Sequence, residues 1–147
     1  VRLDLDNEPQ PDALLRIDEA CGGQSRISDD DYVECAPELV VEIAASSAAY
    51  DLYEKKTVYR RNRVQEYIVW QVSESQISWF SLEDEGYTML LPDEQGIIRS
   101  MIFPGLDLNV QALLAGDLAT VLTEVQQGVV TEKHQTFMGQ LAKKLEE

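Results

Sequence analysis

The sequence predicts a mixed α/β sheet flanked by helices, with a C-terminal helical tail. Three observations lead there. LVVEIA (39–44) and EYIVWQV (66–72) are nearly continuous apolar runs, the mark of strands covered on both faces, and a charged stretch of helical character separates them. Three further short runs follow, punctuated by turn residues. Beyond FPGLDL (103–108) the apolar spacing changes from two to between three and four.

In chain order, Val1 to Leu5 alternates and reads as an edge strand. The opening VRLDLDNEPQPD reads as a strand entered mid-fold, so further N-terminal sequence is expected. Asp12 to Ile17 is a second strand whose entry is fixed by Pro11. Residues 18–34 are polar and acidic, with Gly22-Gly23 and Asp29-Asp30-Asp31, and read as a loop. Leu39 to Ala44 is the first buried strand. Ser46, Ser47 and Asp51 offer capping oxygens for a helix from Asp51 to Arg63, on which Asp51, Lys55 and Tyr59 share a face. Glu66 to Val72 is the second buried strand. Gln76 to Leu82, Tyr87 to Leu91 and Ile97 to Phe103 read as an antiparallel meander turning at Asp84-Glu85-Gly86 and Pro92 to Gly96. Helical spacing then runs from Leu113 to Glu147 through Leu118, Val121, Leu122, Val125, Phe137, Leu141 and Leu145, with a break at Gly128. Residues 1–115 are expected to form the main domain and 116–147 a helical extension that packs on it or pairs with a second copy.

With 147 residues, 44% of them hydrophobic and 27% charged, the chain has the makings of an ordinary globular core. No apolar stretch approaches the length of a membrane span, so a cytoplasmic protein without a membrane partner is expected. Cys21 and Cys35 lack CxxC spacing and are expected to be free thiols; with His134 the only histidine, a zinc site has too few soft ligands. The net charge of −15 argues against gripping nucleic acid over a broad surface. Yet five of the twelve Lys and Arg fall between Lys55 and Arg63. That stripe is either aimed at a phosphate or is the solvated face of a helix, the commoner case.

Asp12, Glu42 and Lys55 are the candidate site. Two carboxylates on neighbouring strands, with a lysine returned by a helix, could serve metal-assisted phosphodiester hydrolysis. Magnesium takes hard oxygen ligands and retains waters, so Asp12 and Glu42 suffice as its protein ligands, with the Ile43 carbonyl as a possible addition. Lys55 could position the attacking water or stabilise the transition state; Lys56, about 100° away around the helix, could not do the same. Glu38 is either an accessory ligand or a strand-entry charge. The competing account is structural: Asp12 caps the turn after Pro11, and Glu42, costly to bury alone, forms an ion pair with Lys55.

The segments PDALLRI, APELVVEIAASS, YDLYEKKTVYRRNRVQEYIVW and FPGLDL resemble the Uma family of restriction endonucleases, a branch of the PD-(D/E)XK nuclease superfamily. The likeness covers about Val1 to Val110 and is most specific from Pro37 to Trp70. It implies a restriction-endonuclease-like fold and a Mg²⁺- or Mn²⁺-dependent DNA endonuclease. Asp12 would be the first acidic ligand and Glu42 the acid of the (D/E)XK element. Position 44, where the motif lysine is expected, is Ala44, so the resemblance gives that role to Lys55; Tyr59 matches a tyrosine that orients the lysine or packs under it. Arg60, Arg61 and Arg63 could add phosphate contacts. Two positions depart from the pattern: Glu38 replaces an aspartate, and Ala45-Ser46-Ser47 replaces serine-proline-serine. A homodimer is expected, since cutting both strands of a duplex calls for two sites. The alternative is a catalytically inactive nuclease-like domain acting in protein interaction or dimerisation.

Overall fold

The computed structural model describes residues 1–45 and 49–146, of which 49–52 as backbone alone. The chain separates into two compact units, Val1–Met89 and Leu90–Glu147.

A five-stranded sheet organises the first unit. Its strands are β1 (Ala13–Leu15), β4 (Leu39–Ala44), β5 (Glu66–Gln71), β6 (Gln76–Glu83) and β7 (Gly86–Leu90), in the order β1-β4-β5-β6-β7. β1 runs antiparallel to β4, β4 parallel to β5, and β5 antiparallel to β6. The parallel β4–β5 pair requires a crossover, and α1 (Ala49–Arg61) supplies it. These two strands are interior to the sheet, which explains their unbroken apolar character. The mixed sheet and helices are those of the predicted α/β class.

Register decides which side chains share a face. Val40, Tyr67 and Phe80 lie in one row across β4, β5 and β6, and Glu42, Val69 and Ser78 lie in the next. The first row is buried with Tyr59 of α1 and Val64, forming the core of this unit. Tyr67 sits at its centre, with ring centroids of Tyr59, Phe80 and Tyr87 at 5.1, 6.2 and 6.2 Å. Arg63 adopts a left-handed φ of 66° after α1, and the Val64 N–H donates back to the Tyr59 carbonyl at 3.0 Å. This closure ends the helix and seats Val64 in the core.

Several sequence expectations need correction here. Val1 to Leu5 is not a strand: only Arg2 bridges, to Glu34. The second predicted strand contracts to β1, leaving Asp12 just outside it. The loop at 18–34 contains a 3-10 turn (Glu19–Cys21) and a minimal hairpin of β2 (Arg26–Ile27) and β3 (Val33–Glu34), which Arg26 and Glu34 clamp at 2.8 Å. Ser46 and Ser47 lie outside the described residues, as does the Asp51 side chain, so the helix cap assigned to them is not described. Cys21 and Cys35 are free, the first buried and the second exposed.

In the second unit β8 (Ile97–Arg99) does not extend the meander. It pairs antiparallel with β9 (Asp107–Asn109) as a separate two-stranded sheet. The tail divides into α2 (Val110–Leu114), α3 (Leu118–Val129) and α4 (Glu132–Glu146). Asn109 and Asp117 cap α2 and α3 through their side-chain oxygens. Gly128 lies inside α3 rather than breaking it, and the break falls at Val130–Thr131. Its role is close packing: a Cβ there would stand 2.0 Å from the Gly105 carbonyl oxygen. Gly105 itself has φ +93°, so neither position accepts a side chain. Among the described residues no helix is long and apolar enough to cross a membrane.

Candidate functional site

Glu42 is the centre of the site. It lies on the sheet face that α1 crosses, and only 4% of it is exposed. A carboxylate so placed is costly without partners, and α1 delivers two. Lys55 Nζ donates to Glu42 Oε2 at 2.9 Å, and the Tyr59 hydroxyl donates to Oε1 at 2.5 Å. The four-residue spacing of Lys55 and Tyr59 puts both on one helix face, one turn apart. The lysine is the more accessible partner, 34% exposed at its side chain, whereas Tyr59 is 1% exposed. Burial first, and then the hydrogen bond and charge of Glu42, raise the Tyr59 phenol well above its usual range. Tyr59 is therefore a neutral donor at any physiological pH.

Asp12 reaches the same stretch of β4 from the neighbouring strand. Leu15, Leu14 and Ala13 face Leu39, Val40 and Val41, so continuing the register sets Asp12 opposite Glu42. Asp12 is exposed, and its Oδ2 accepts the Ile43 backbone N–H at 2.7 Å. The Ile43 N–H is thereby held, and the first carboxylate is anchored to the residue after the second. All three candidate residues thus belong to one arrangement: Lys55 and Glu42 touch directly, and Asp12 is tied to β4 beside them. Among the described residues no group of three or more His, Cys, Asp or Glu is placed to hold a metal ion.

Two assignments change. Glu38 is neither an accessory ligand nor a simple strand-entry charge. It is 2% exposed, and its two oxygens accept the backbone N–H groups of Ile17 and Gln24, each at 2.8 Å. It pins the loop after β1 to the start of β4. Tyr59, read through the resemblance as orienting the lysine or packing under it, makes its hydrogen bond to the acid, on the oxygen other than the one that Lys55 contacts.

The basic stripe separates into parts. Lys56 turns away from Glu42, as its helical position requires, and its Nζ lies 3.5 Å from the Phe80 ring centroid. Burial lowers the Lys56 ammonium from its ordinary value. Arg60, Arg61 and Arg63 line a cavity of about 270 Å³ together with Glu83, Asp84 and Glu85 of the β6–β7 turn. Arg60 and Arg61 also occupy the last turn of α1, where positive charge complements the helix dipole. These arginines have a structural reason to be where they are.

Sequence reasoning missed a second group on this face. Tyr67, Val69 and Gln71 recur at every second position of β5, as do Ser78 and Phe80 on β6, and a cavity of about 230 Å³ opens above them. The period-two spacing was legible, but which strand faced which was not.

A family model, Uma2, described as "Putative restriction endonuclease", matches residues 1–111, three quarters of the chain. That span includes Asp12, Glu42, Lys55 and Tyr59. No curated protein matches the sequence.

Proposed function

We propose, from the premise that this chain belongs to the Uma2 family of restriction-endonuclease-like proteins, that it is a metal-dependent DNA endonuclease acting through Asp12, Glu42 and Lys55. The observation that carries the reading is Glu42: a buried carboxylate in a central strand, held from one side by a lysine and a tyrosine of α1, with Asp12 anchored to the next residue.

The donor set suits Mg²⁺ or Mn²⁺. Two carboxylates are hard oxygen ligands, few enough to leave most of the coordination shell to water and phosphate oxygens. Each Glu42 oxygen keeps lone-pair capacity beyond its present hydrogen bond, since an ionised carboxylate accepts at about four sites. Bound there, the ion would lower the pKa of an attacking water and offset charge on the phosphate.

The remaining work falls to the chain. Tyr59, neutral and buried, fixes the Glu42 carboxylate in orientation through a charge-assisted hydrogen bond. Asp12, tied through one oxygen to the Ile43 N–H, keeps the other as a candidate metal ligand. Lys55 keeps its ammonium beside the reacting phosphate, where it orients the nucleophile or stabilises the pentacovalent oxygen charge. Its partial exposure allows it to move between Glu42 and substrate. The protein acts on DNA in the cytoplasm as a homodimer, two sites serving two strands; sedimentation as a monomer with and without DNA would remove the dimer from this account.

Calorimetry with Mg²⁺ and Mn²⁺ tests the site, wild type against Glu42→Ala. Binding that disappears in the variant supports the reading, and no binding by folded wild type at millimolar metal overturns it. Asp12→Ala then tests chemistry, because an exposed side chain can be removed with little cost to the fold: cleavage should fall at least a hundredfold. One observation favours a second reading, an inactive interaction domain: Lys55 and Tyr59 already engage both Glu42 oxygens, which offsets the cost of burying the acid with no metal. Unchanged DNA behaviour in Asp12→Ala would select it.

A further inference from the structure

We infer that the cavity beside Glu42 is a base-binding subsite, which takes one unstacked nucleobase of a single-stranded segment whose phosphate lies at Glu42 and Lys55; this rests on the nuclease reading above. The cavity occupies about 230 Å³, below the roughly 300–1,000 Å³ typical of sites for drug-sized ligands, and so suits a ligand of one or two rings.

Its position follows from register. Glu42, Val69 and Ser78 form one row across three strands, with Val69 and Ser78 both lining the cavity. At about 4.8 Å between strands, the cavity floor begins one strand away from Glu42 and ends two strands away. A single nucleotide can bridge that distance. The helix above confirms the adjacency: successive residues of α1 send Lys55 to Glu42 on β4 and Lys56 to Phe80 on β6. The two lysines therefore bracket the step from carboxylate to cavity.

Its chemistry is that of a base site. Tyr67 and Phe80 make a buried aromatic floor, with centroids 6.2 Å apart and planes within 23°. Tyr53 stands at the rim, 72% exposed, as a surface on which a base can stack. Gln71 brings one carbonyl and one amide NH₂ to the lining, and Ser78, whose oxygen accepts from Gln76 Nε2 at 3.5 Å, brings a hydroxyl that can still donate; such groups read a base edge. Lys56, over the Phe80 ring, supplies positive charge for an adjoining phosphate in a chain that is otherwise strongly acidic. A base inside a duplex cannot enter such a cavity, so the strand must be open, frayed or locally unpaired.

The test pairs two ligands with three proteins. Octathymidylate and a base-free octamer of the same backbone are titrated by fluorescence anisotropy in EDTA against wild type, Tyr53→Ala and Gln71→Ala. Wild type should bind octathymidylate about tenfold more tightly than the base-free octamer. Both variants should lose most of that preference while holding the base-free octamer as wild type does. Equal wild-type affinity for the two ligands, or equal losses on both in the variants, overturns the subsite. So does failure to bind either octamer. A parallel Mg²⁺ cleavage assay of wild type and Asp12→Ala on single-stranded and duplex DNA separates the two ideas. Cleavage that needs Asp12, without a base preference, sinks the subsite alone; no cleavage and no binding sink both.

Discussion

Glu38 and Glu42 lie four residues apart, are almost equally buried, and are held in opposite ways. Glu38 accepts two backbone N–H groups, from Ile17 and Gln24. Glu42 accepts from two side chains, Lys55 and Tyr59. Backbone donors are fixed by the fold and cannot follow a substrate. Side-chain donors on an adjacent helix can, and one of them is partly open to solvent. Burial of a carboxylate therefore does not mark a site by itself, nor does a side-chain partner, since buried Glu66 accepts from Trp79; Glu42 differs in having a charged partner that solvent can reach.

The largest effect is expected where the partners are backbone. Glu38→Ala leaves two N–H groups without their acceptor at the root of the β1 loop. Unsatisfied buried donors cost about 1–3 kcal/mol each, and these two are part-buried, so unfolding by urea should show a loss of about 2–4 kcal/mol. Any cleavage should fall only in proportion to the folded fraction. A variant that folds as wild type and loses activity would erase the contrast between the two glutamates.

Glu42→Gln should reverse that pattern. The amide keeps the shape and can still accept from Tyr59, so stability should change by no more than about 2 kcal/mol. Metal affinity and cleavage should drop at least a hundredfold, read by calorimetry and by a plasmid-nicking assay. Equal losses of stability in Glu38→Ala and Glu42→Gln, with activity intact in the second, would make Glu42 a scaffold residue as well.

The contrast also explains what could be read from the sequence. The β4–α1–β5 unit was legible because an interior parallel pair needs apolar strands and a crossover, and both leave strong patterns. The Glu42–Lys55 contact was legible as a possibility, since a buried acid demands a cation and the helix offered one. Glu38 was not, because its partners are main-chain groups in a loop whose path no spacing announces. β8 was misplaced for a related reason. The turn through Gly105 folds 97–99 against 107–109, a local pairing that overrides the expectation that successive strands extend one sheet. The base-binding cavity depended on register across β4, β5 and β6, which one chain read in isolation does not supply.

A smaller effect belongs to the hydrogen bond that orients Glu42. Tyr59→Phe removes the hydroxyl and keeps the ring in the core, so the cost should be about 1–2 kcal/mol. Metal binding should weaken and cleavage fall about tenfold rather than vanish, because the charge of Glu42 and the contact with Lys55 remain. Loss as complete as in Glu42→Gln would promote Tyr59 from a positioning residue to one that acts directly.

The smallest effect is confined to alkaline pH, and it isolates how Tyr59 is buried. Desolvation raises the phenols of Tyr59 and Tyr87 above their ordinary range, with the Glu42 hydrogen bond adding to the rise at Tyr59. In the unfolded chain both ionise near pH 10. Because their folded-state values lie higher, the stability they contribute is complete below about pH 10 and is lost as pH climbs toward those values. Following phenolate absorbance, part of the signal from the six tyrosines should appear only together with loss of tertiary structure. Tyr59→Phe should shrink that delayed fraction and leave the early one unchanged. If all six ionised near pH 10 in a folded protein, Tyr59 would be solvated, and the orientation of Glu42 would need another cause.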